Sequence, residues 1–309
     1  GGFCVKNSSP YKKNLYWKDT GYSREETLSS NTSTLSIGTT ALFGQEIIAG
    51  ERNETQLIQA PTSVEITGGN GPTLNERFGT NISISGNYLA VGTKVTQNAN
   101  VYVYYKNQAT GVYAIQKIIT IPTELSGLDS NFGESLSISN NYLAVSAKSQ
   151  DKVYLYKRKG TNWTQIKSWD GVDDFSIDST AFGGSLELTD NYLAIGVNDT
   201  ASSVNNRVFL RGKNVGGTDN WGAVKTFTYP GSNHSSVSTK DDEQFGSQSS
   251  IDGDYIIIGA RNADAYSGSA EIAGAGLAFI FYRHQGGRDQ WGLQETLHAQ
   301  QTNGTNDVT

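Results

Sequence analysis

One pattern of apolar and polar positions recurs four times in this chain. After a Phe-Gly pair comes a stretch in which polar and apolar residues alternate, such as Ile82-Ser83-Ile84 or Leu186-Glu187-Leu188. Period-two alternation predicts a strand with one face buried. Two turn-forming residues follow: Gly86-Asn87, Asn140-Asn141, Asp190-Asn191 and Gly253-Asp254. Gly, Asn and Asp tolerate the positive φ that tight hairpins require. Next comes an unbroken apolar run: YLAVG at 88–92, YLAVS at 142–146, YLAIG at 192–196, YIIIG at 255–259. Such a run predicts a strand covered on both faces.

A third strand is predicted at 101–105, 153–156, 208–210 and 277–281, and a fourth at 114–119, 164–168, 223–227 and 293–297. One four-stranded sheet leaves apolar residues bare, so the copies must stack on one another. The expected fold is therefore all-β: a β-propeller of four-stranded antiparallel blades. Clear blades are predicted at 78–119, 132–168, 182–227 and 245–297.

Weaker copies lie upstream. YWKDTGYSREETL at 16–28 parallels YRHQGGRDQWGLQETL at 282–297, which predicts a half blade at 11–28 that lacks its two inner strands. EIIAGERN at 46–53 parallels YIIIGARN at 255–262, which predicts a compressed, degenerate blade at 34–68. The pattern thus predicts about five and a half blades in a single propeller domain spanning 1–309. QQTNGTNDVT at 300–309 resembles the polar linker SGLDSNFG at 126–133, which runs into a Phe-Gly pair. The expectation is that further blades are supplied elsewhere, to a total of seven.

The Phe-Gly starts, the apolar strand ending in Gly259-Ala260, and the turns GGTDNWG and GGRDQWG resemble FG-GAP repeats. These form the blades of integrin-α-type propellers and of many bacterial surface proteins. The resemblance covers 78–297 well and 11–68 weakly. It implies a cell-surface or extracellular propeller whose ligands dock on the face carrying the variable loops. The family's inner hairpin carries a calcium loop of the form D-x-D-x-D-G. Here each inner turn is about two residues, and Asp252-Gly253-Asp254 is the nearest approach. Calcium needs six to eight oxygens, so no calcium site and no other cofactor is expected. A sialidase-like reading fails as well, because Asp219 and Asp289 precede Trp221 and Trp291 with no Gly between, unlike the Asp box.

Composition narrows the partners. The chain has 309 residues, a net charge of −6 and one cysteine, Cys4. No Lys/Arg run is long enough to track a phosphate backbone, so nucleic acid is not an expected partner. No apolar run approaches the ~20 residues of a membrane span. His234, His284 and His298 have no second ligand at a metal-binding spacing. No G-x-S-x-G elbow or phosphate-binding glycine loop is present. The acidic clusters Asp173-Asp174 and Asp241-Asp242-Glu243 read as solvated loop charge. Trp163, Trp221 and Trp291 occupy one equivalent position in three blades, which predicts blade-to-blade packing rather than a sugar platform. Eight N-x-S/T sequons occur, but abundant Asn, Ser and Thr make such a number unremarkable.

What remains is loop variation. The inner turns are uniformly short, whereas 93–100, 147–152, 197–207 and 260–275 vary, as do the blade connections 120–131, 169–181 and 228–244. Variable loops on a rigid scaffold are where recognition usually lives. The candidate binding residues are Arg261, Asp264 and Tyr266, with Asn198 and Asp199. The function expected is a non-enzymatic extracellular or cell-surface binding and adhesion module for a protein or glycan ligand. The alternative is a structural subunit of a surface filament, fibre or envelope assembly, with neighbouring subunits as partners. An enzyme with its site in the central channel ranks below both.

Overall fold

The computed structural model describes residues 3–9, 12–17, 26–29, 58, 77–94, 99–177, 181–197, 206–231, 244–267 and 270–298. The chain forms two compact units, Gly1–Leu57 and Ile58–Thr309. In the first, β1 (Phe3–Ser9), β2 (Lys12–Trp17) and β3 (Glu26–Ser29) form an antiparallel meander. The sequence pattern predicted only two strands here, within 11–28. It overlooked β1, whose FCVKNSS has no Phe-Gly start and only weak alternation. Apart from Ile58, the degenerate blade predicted at 34–68 lies outside the described residues.

Among the described residues the second unit contains four four-stranded antiparallel sheets, and the fold is an all-β stack of propeller blades. The first blade is β4 (Asn81–Ser85), β5 (Tyr88–Gly92), β6 (Asn100–Lys106) and β7 (Tyr113–Thr120). The second is β8 (Phe132–Ile138), β9 (Tyr142–Ala147), β10 (Lys152–Lys159) and β11 (Asn162–Asp170). The third is β12 (Phe182–Leu188), β13 (Tyr192–Val197), β14 (Arg207–Gly212) and β15 (Gly222–Thr228). The fourth is β16 (Phe245–Asp252), β17 (Tyr255–Ala260), β20 (Leu277–Tyr282) and β21 (Gly292–His298), with the hairpin β18 (Ala265–Ser267) and β19 (Ala270–Ile272) between its middle strands. Neighbouring strands pair in chain order within each blade. A one-turn helix, α1 (Gly171–Phe175), sits in the connection from second to third blade, capped by Asp170 Oδ1, which accepts from the N–H groups of Val172 and Asp173.

The inner turns are two residues long, as expected, but they divide into two kinds. Gly86 and Gly253 take φ of 57°, whereas the Asn140-Asn141 and Asp190-Asn191 turns stay at negative φ. There the turn closes through Ser139 N to Tyr142 O and Thr189 N to Tyr192 O, each 2.8 Å. The expectation of positive φ at all four turns is therefore corrected: without glycine, these turns avoid the left-handed region.

Every blade also carries a bulge between its third and fourth strands. The register slips at Gln116, Ile166, Val224 and Gln294, so that each stands unpaired on the fourth strand. The core is divided among the gaps between sheets, one apolar cluster per pair of consecutive blades. This follows from strands with apolar residues on both faces: each sheet contributes alternate residues to the seam on either side.

Candidate binding face

Three seams join the four blades, and each is built from the same parts. Nearest the inner strands, Ser83 Oγ accepts from Ile138 N at 3.1 Å and Ser137 Oγ accepts from Leu188 N at 3.0 Å. In the third seam a carboxylate takes the serine's place: Glu187 accepts from the backbone of Ile251 and from Ser250. Burial pushes the Glu187 carboxyl upward, and those two hydrogen bonds oppose the shift.

Midway along the seam lies the glycine of the Phe-Gly pair. Gly133, Gly183 and Gly246 have φ of 85°, 76° and 90°. A Cβ on them would come within 2.9 Å of Val101, 2.8 Å of Val153 and 3.0 Å of Val208, all on the preceding blade. Two demands thus select glycine here: left-handed backbone and close approach. The phenylalanine beside each, Phe132, Phe182 or Phe245, is fully buried in the same seam.

Towards the outer strands, Trp163, Trp221 and Trp291 are all buried, and each packs edge-on against a tyrosine of the preceding blade. The pairs are Tyr88–Trp163 at 6.0 Å, Tyr142–Trp221 at 5.1 Å and Tyr192–Trp291 at 5.4 Å between ring centroids. A cation from the tryptophan's blade covers the same tyrosine: Arg158 over Tyr88 at 4.6 Å, Lys213 over Tyr142 at 4.9 Å, Arg283 over Tyr192 at 5.9 Å. The GGTDNWG and GGRDQWG turns deliver these groups identically. Trp221 and Trp291 take φ of 53° and 50°, and their N–H groups donate to Lys213 O and Arg283 O. Positive φ is costly for a bulky side chain, and burial of the indole offsets that cost. In the second seam Tyr142 Oη also donates to Asp219 Oδ1 at 2.5 Å, and Lys157 reaches Asp219 Oδ2 at 2.5 Å.

The fourth blade repeats the donor half of this seam but shows it to solvent. Tyr255, equivalent to Tyr88, Tyr142 and Tyr192, is 47% exposed and stacks on Tyr282 of its own sheet. Ile257 is 38% exposed where Ala90, Ala144 and Ala194 are fully buried. Leu293 and Leu297 are exposed on the fourth strand of the same sheet. Two shallow depressions mark this blade. One, of about 310 Å³, is lined by Ser250, Tyr255, Ile257, Ile280, Gln294 and Glu295, among others. The second, of about 450 Å³, includes Gly259, Arg261, Gly276, Ala278 and Leu297.

The residues predicted from loop variation fall partly at its border. Arg261 lines the second depression and bonds through Nε to Gln244 Oε1. Asp264 Oδ1 accepts from Gly274 N at 2.8 Å, which closes the base of the β18–β19 hairpin. Tyr266 lies on β18, opposite Glu271. The structure therefore separates these three: Arg261 faces a depression, whereas Asp264 serves the loop. Asn198 and Asp199 lie outside the described residues. Sequence reasoning missed Tyr255 and Ile257 because their motif is the scaffold motif, and nothing in that motif distinguishes an exposed copy from a buried one.

The loop between the middle strands of the second blade meets the blade connections on both sides of it. Asp151 Oδ1 accepts from the N–H groups of Ala181 and Phe182, Asn131 Nδ2 donates to Ser149 Oγ, and Gln150 Nε2 donates to Asp129 O. Among the described residues, no group of three or more His, Cys, Asp or Glu side chains could hold a metal. Nor is any described helix long and apolar enough to cross a membrane.

No family model matches the chain, and no curated protein matches it. Solved structures do. The WD40 domain of Toxoplasma gondii coronin aligns with a TM-score of 0.42 at 10% identity, covering 72% of this chain and 47% of that one. A protein from Lactobacillus plantarum aligns with a TM-score of 0.46 at 11% identity, covering 92% of this chain and 64% of that one. The chain spans less than two thirds of the length of either.

Proposed function

We propose that this protein is a non-enzymatic interaction scaffold, acting outside the cell or on its surface and binding protein or glycan partners. The observation that carries the proposal is the contrast between a stiff stack of blades and its variable loops, of which that of the second blade is tied to its blade connections by Asp151, Asn131 and Gln150. A rigid platform with variable loops suits recognition better than acid–base chemistry. The resemblance of the Phe-Gly phrases to FG-GAP repeats supports the surface location. The test replaces 261–268 with a Gly/Ser loop and measures binding to a glycan array and to purified surface proteins. Lost binding supports docking through this loop; unchanged binding removes the loop from the site.

A second reading has its own observation. The exposed outer face of the fourth blade, centred on Tyr255 and Ile257, favours a subunit of a surface assembly. Large exposed apolar patches commonly mark protein contacts. Chemical cross-linking of the protein in its native source, followed by sizing, tests this reading: a higher-order product supports it, and a lone chain contradicts it.

A further inference from the structure

We propose that the hairpin end of the second blade, around Arg158 and Lys159, binds an anionic sugar chain, one carrying sulfate or carboxylate groups. The proposal rests on the reading of the protein as an interaction scaffold. It adds a second surface to that reading, on the side of the short turns rather than of the variable loops.

Each blade places a cation at one repeat position, at the end of its third strand. The backbone N–H groups of Lys106, Arg158, Lys213 and Arg283 donate to the carbonyl oxygens of Asn87, Asn141, Asn191 and Asp254 in the inner turns. In the third and fourth blades this position is neutralised. Asp219 lies 4.0 Å from the Lys213 ammonium and also holds Lys157. Asp289 and Asp254 both hold Arg283. Asp219 and Asp289 come from the GGTDNWG and GGRDQWG turns, and Asp254 from the inner turn. The second blade has neither source: Gly160-Thr161 stands in place of the longer turn, and Asn141 in place of Asp254.

Arg158 is held by neutral groups instead. Its Nε donates to Asn140 O at 2.8 Å, Nη1 to Gly160 O at 3.1 Å and Nη2 to Asn141 Oδ1 at 3.1 Å. The guanidinium lies over Tyr88, 4.6 Å from the ring centroid. Those bonds leave N–H donors to spare, because a guanidinium carries five. The side chain is fixed before a ligand arrives, so little of its freedom is lost on binding. Lys159 beside it is exposed and pairs across the hairpin with Asn162, which is exposed too. Neither cation joins an ion pair among the described residues. The neighbouring first blade supplies no counter-charge, since 78–120 contains neither Asp nor Glu.

This setting selects the ligand. The whole chain carries a net charge of −6, so a polyanion is attracted only where cations stand without carboxylates. Asn140, Asn141 and Asn162 are exposed around the two cations, and their amides suit hydroxyl groups that lie between acidic ones. A sugar chain offers both. A nucleic acid needs cations spaced along its phosphate backbone, which one hairpin end does not supply.

The test measures affinity of the full chain for heparin, which is sulfated, and for polygalacturonate, which carries carboxylates alone, with dextran and duplex DNA beside them. Wild type should bind at least one of the two acidic polysaccharides, lose affinity as salt rises, and ignore dextran. Lys159→Gln and Arg158→Gln should each weaken that binding by about threefold or more. Lys159 is exposed, so its variant should keep the wild-type unfolding temperature even if loss of Arg158 loosens the turn. Arg288→Gln removes the same charge from the equivalent turn of the fourth blade, where Asp289 lies 3.6 Å away. It should leave affinity within about twofold of wild type. Binding to neither polysaccharide overturns the site and leaves the scaffold reading to the loop replacement. Binding that Lys159→Gln and Arg158→Gln leave unchanged overturns it as well. Equal losses in all three variants overturn it too, because net charge alone would then explain them. Duplex DNA bound as tightly as the polysaccharides overturns the assignment to a sugar chain.

Discussion

Trp221 on the third blade stands edge-on to Tyr142 on the second, ring centroids 5.1 Å apart, in a seam from which both side chains exclude solvent. The indole reaches that position only because its own backbone is left-handed, with φ of 53°. Replacing Trp221 with Ala should cost about 3–5 kcal/mol, the range for truncating a large buried aromatic. Chemical denaturation followed by circular dichroism measures it. A loss confined to ligand affinity, with stability intact, would restore the sugar-platform reading.

Asp219 adds a pH dependence to the same seam. The hydrogen bond from Lys157, then that from Tyr142, holds its carboxyl below the ordinary carboxylate range despite some desolvation. A depressed folded value means that the ionised form favours folding. The contribution is complete above the unfolded value of about 3.9 and is lost as pH falls through the lower folded value. Asp219→Asn should therefore be less stable than wild type at neutral pH, and the two should converge below about pH 4. Parallel curves across that window would contradict this.

The Phe-Gly glycine is constrained twice, and the two constraints can be separated. Gly127 has φ of 80° and open space at its Cβ position, whereas Gly133 has φ of 85° and would clash with Val101. Gly127→Ala should cost only the left-handed penalty of about 1–2 kcal/mol. Gly133→Ala should cost distinctly more, because the second blade must also move from the first. Equal costs in a denaturation experiment would remove the close-approach argument.

The buried indole N–H of Trp291 has no hydrogen-bond partner, whereas that of Trp163 donates to the bulge residue Gln116. The bulge residue facing Trp291 is Val224, which packs against the same cluster. Val224→Gln should supply the missing acceptor and raise stability by up to about 1 kcal/mol. A lower melting temperature would show that the lost apolar contact outweighs the bond.

Much of this architecture was legible because one phrase is repeated. Alternation at Ile82-Ser83-Ile84 and the run at Tyr88–Gly92 located inner and middle strands, and equivalence of the three tryptophans pointed to the seams. Three things were not legible. β1 has no repeat signature, since its FCVKNSS matches no other copy. The negative φ of the Asn140-Asn141 turn depends on how its flanking strands meet, and the residue types allowed either outcome. The exposed face was hidden in plain repetition: Tyr255 carries the same motif as Tyr142, and its exposure depends only on what packs against its sheet. Loop variation drew attention to Asp264 instead, which closes its own hairpin.

Among the described blades, one kind of seam is filled three times, and the same set of residues stands exposed on the fourth blade. Thermal or chemical unfolding of Tyr142→Ala beside Tyr255→Ala, in solutions dilute enough to hold the chain monomeric, tests it most directly. The two tyrosines occupy one repeat position, one enclosed by Trp221 and Lys213 and the other nearly half exposed. Tyr142→Ala should lose about 3–5 kcal/mol, as for other large buried aromatics, and Tyr255→Ala should stay within about 1 kcal/mol of wild type. Equal losses at the two sites would mean that Tyr255 is enclosed as Tyr142 is, and would contradict the claim.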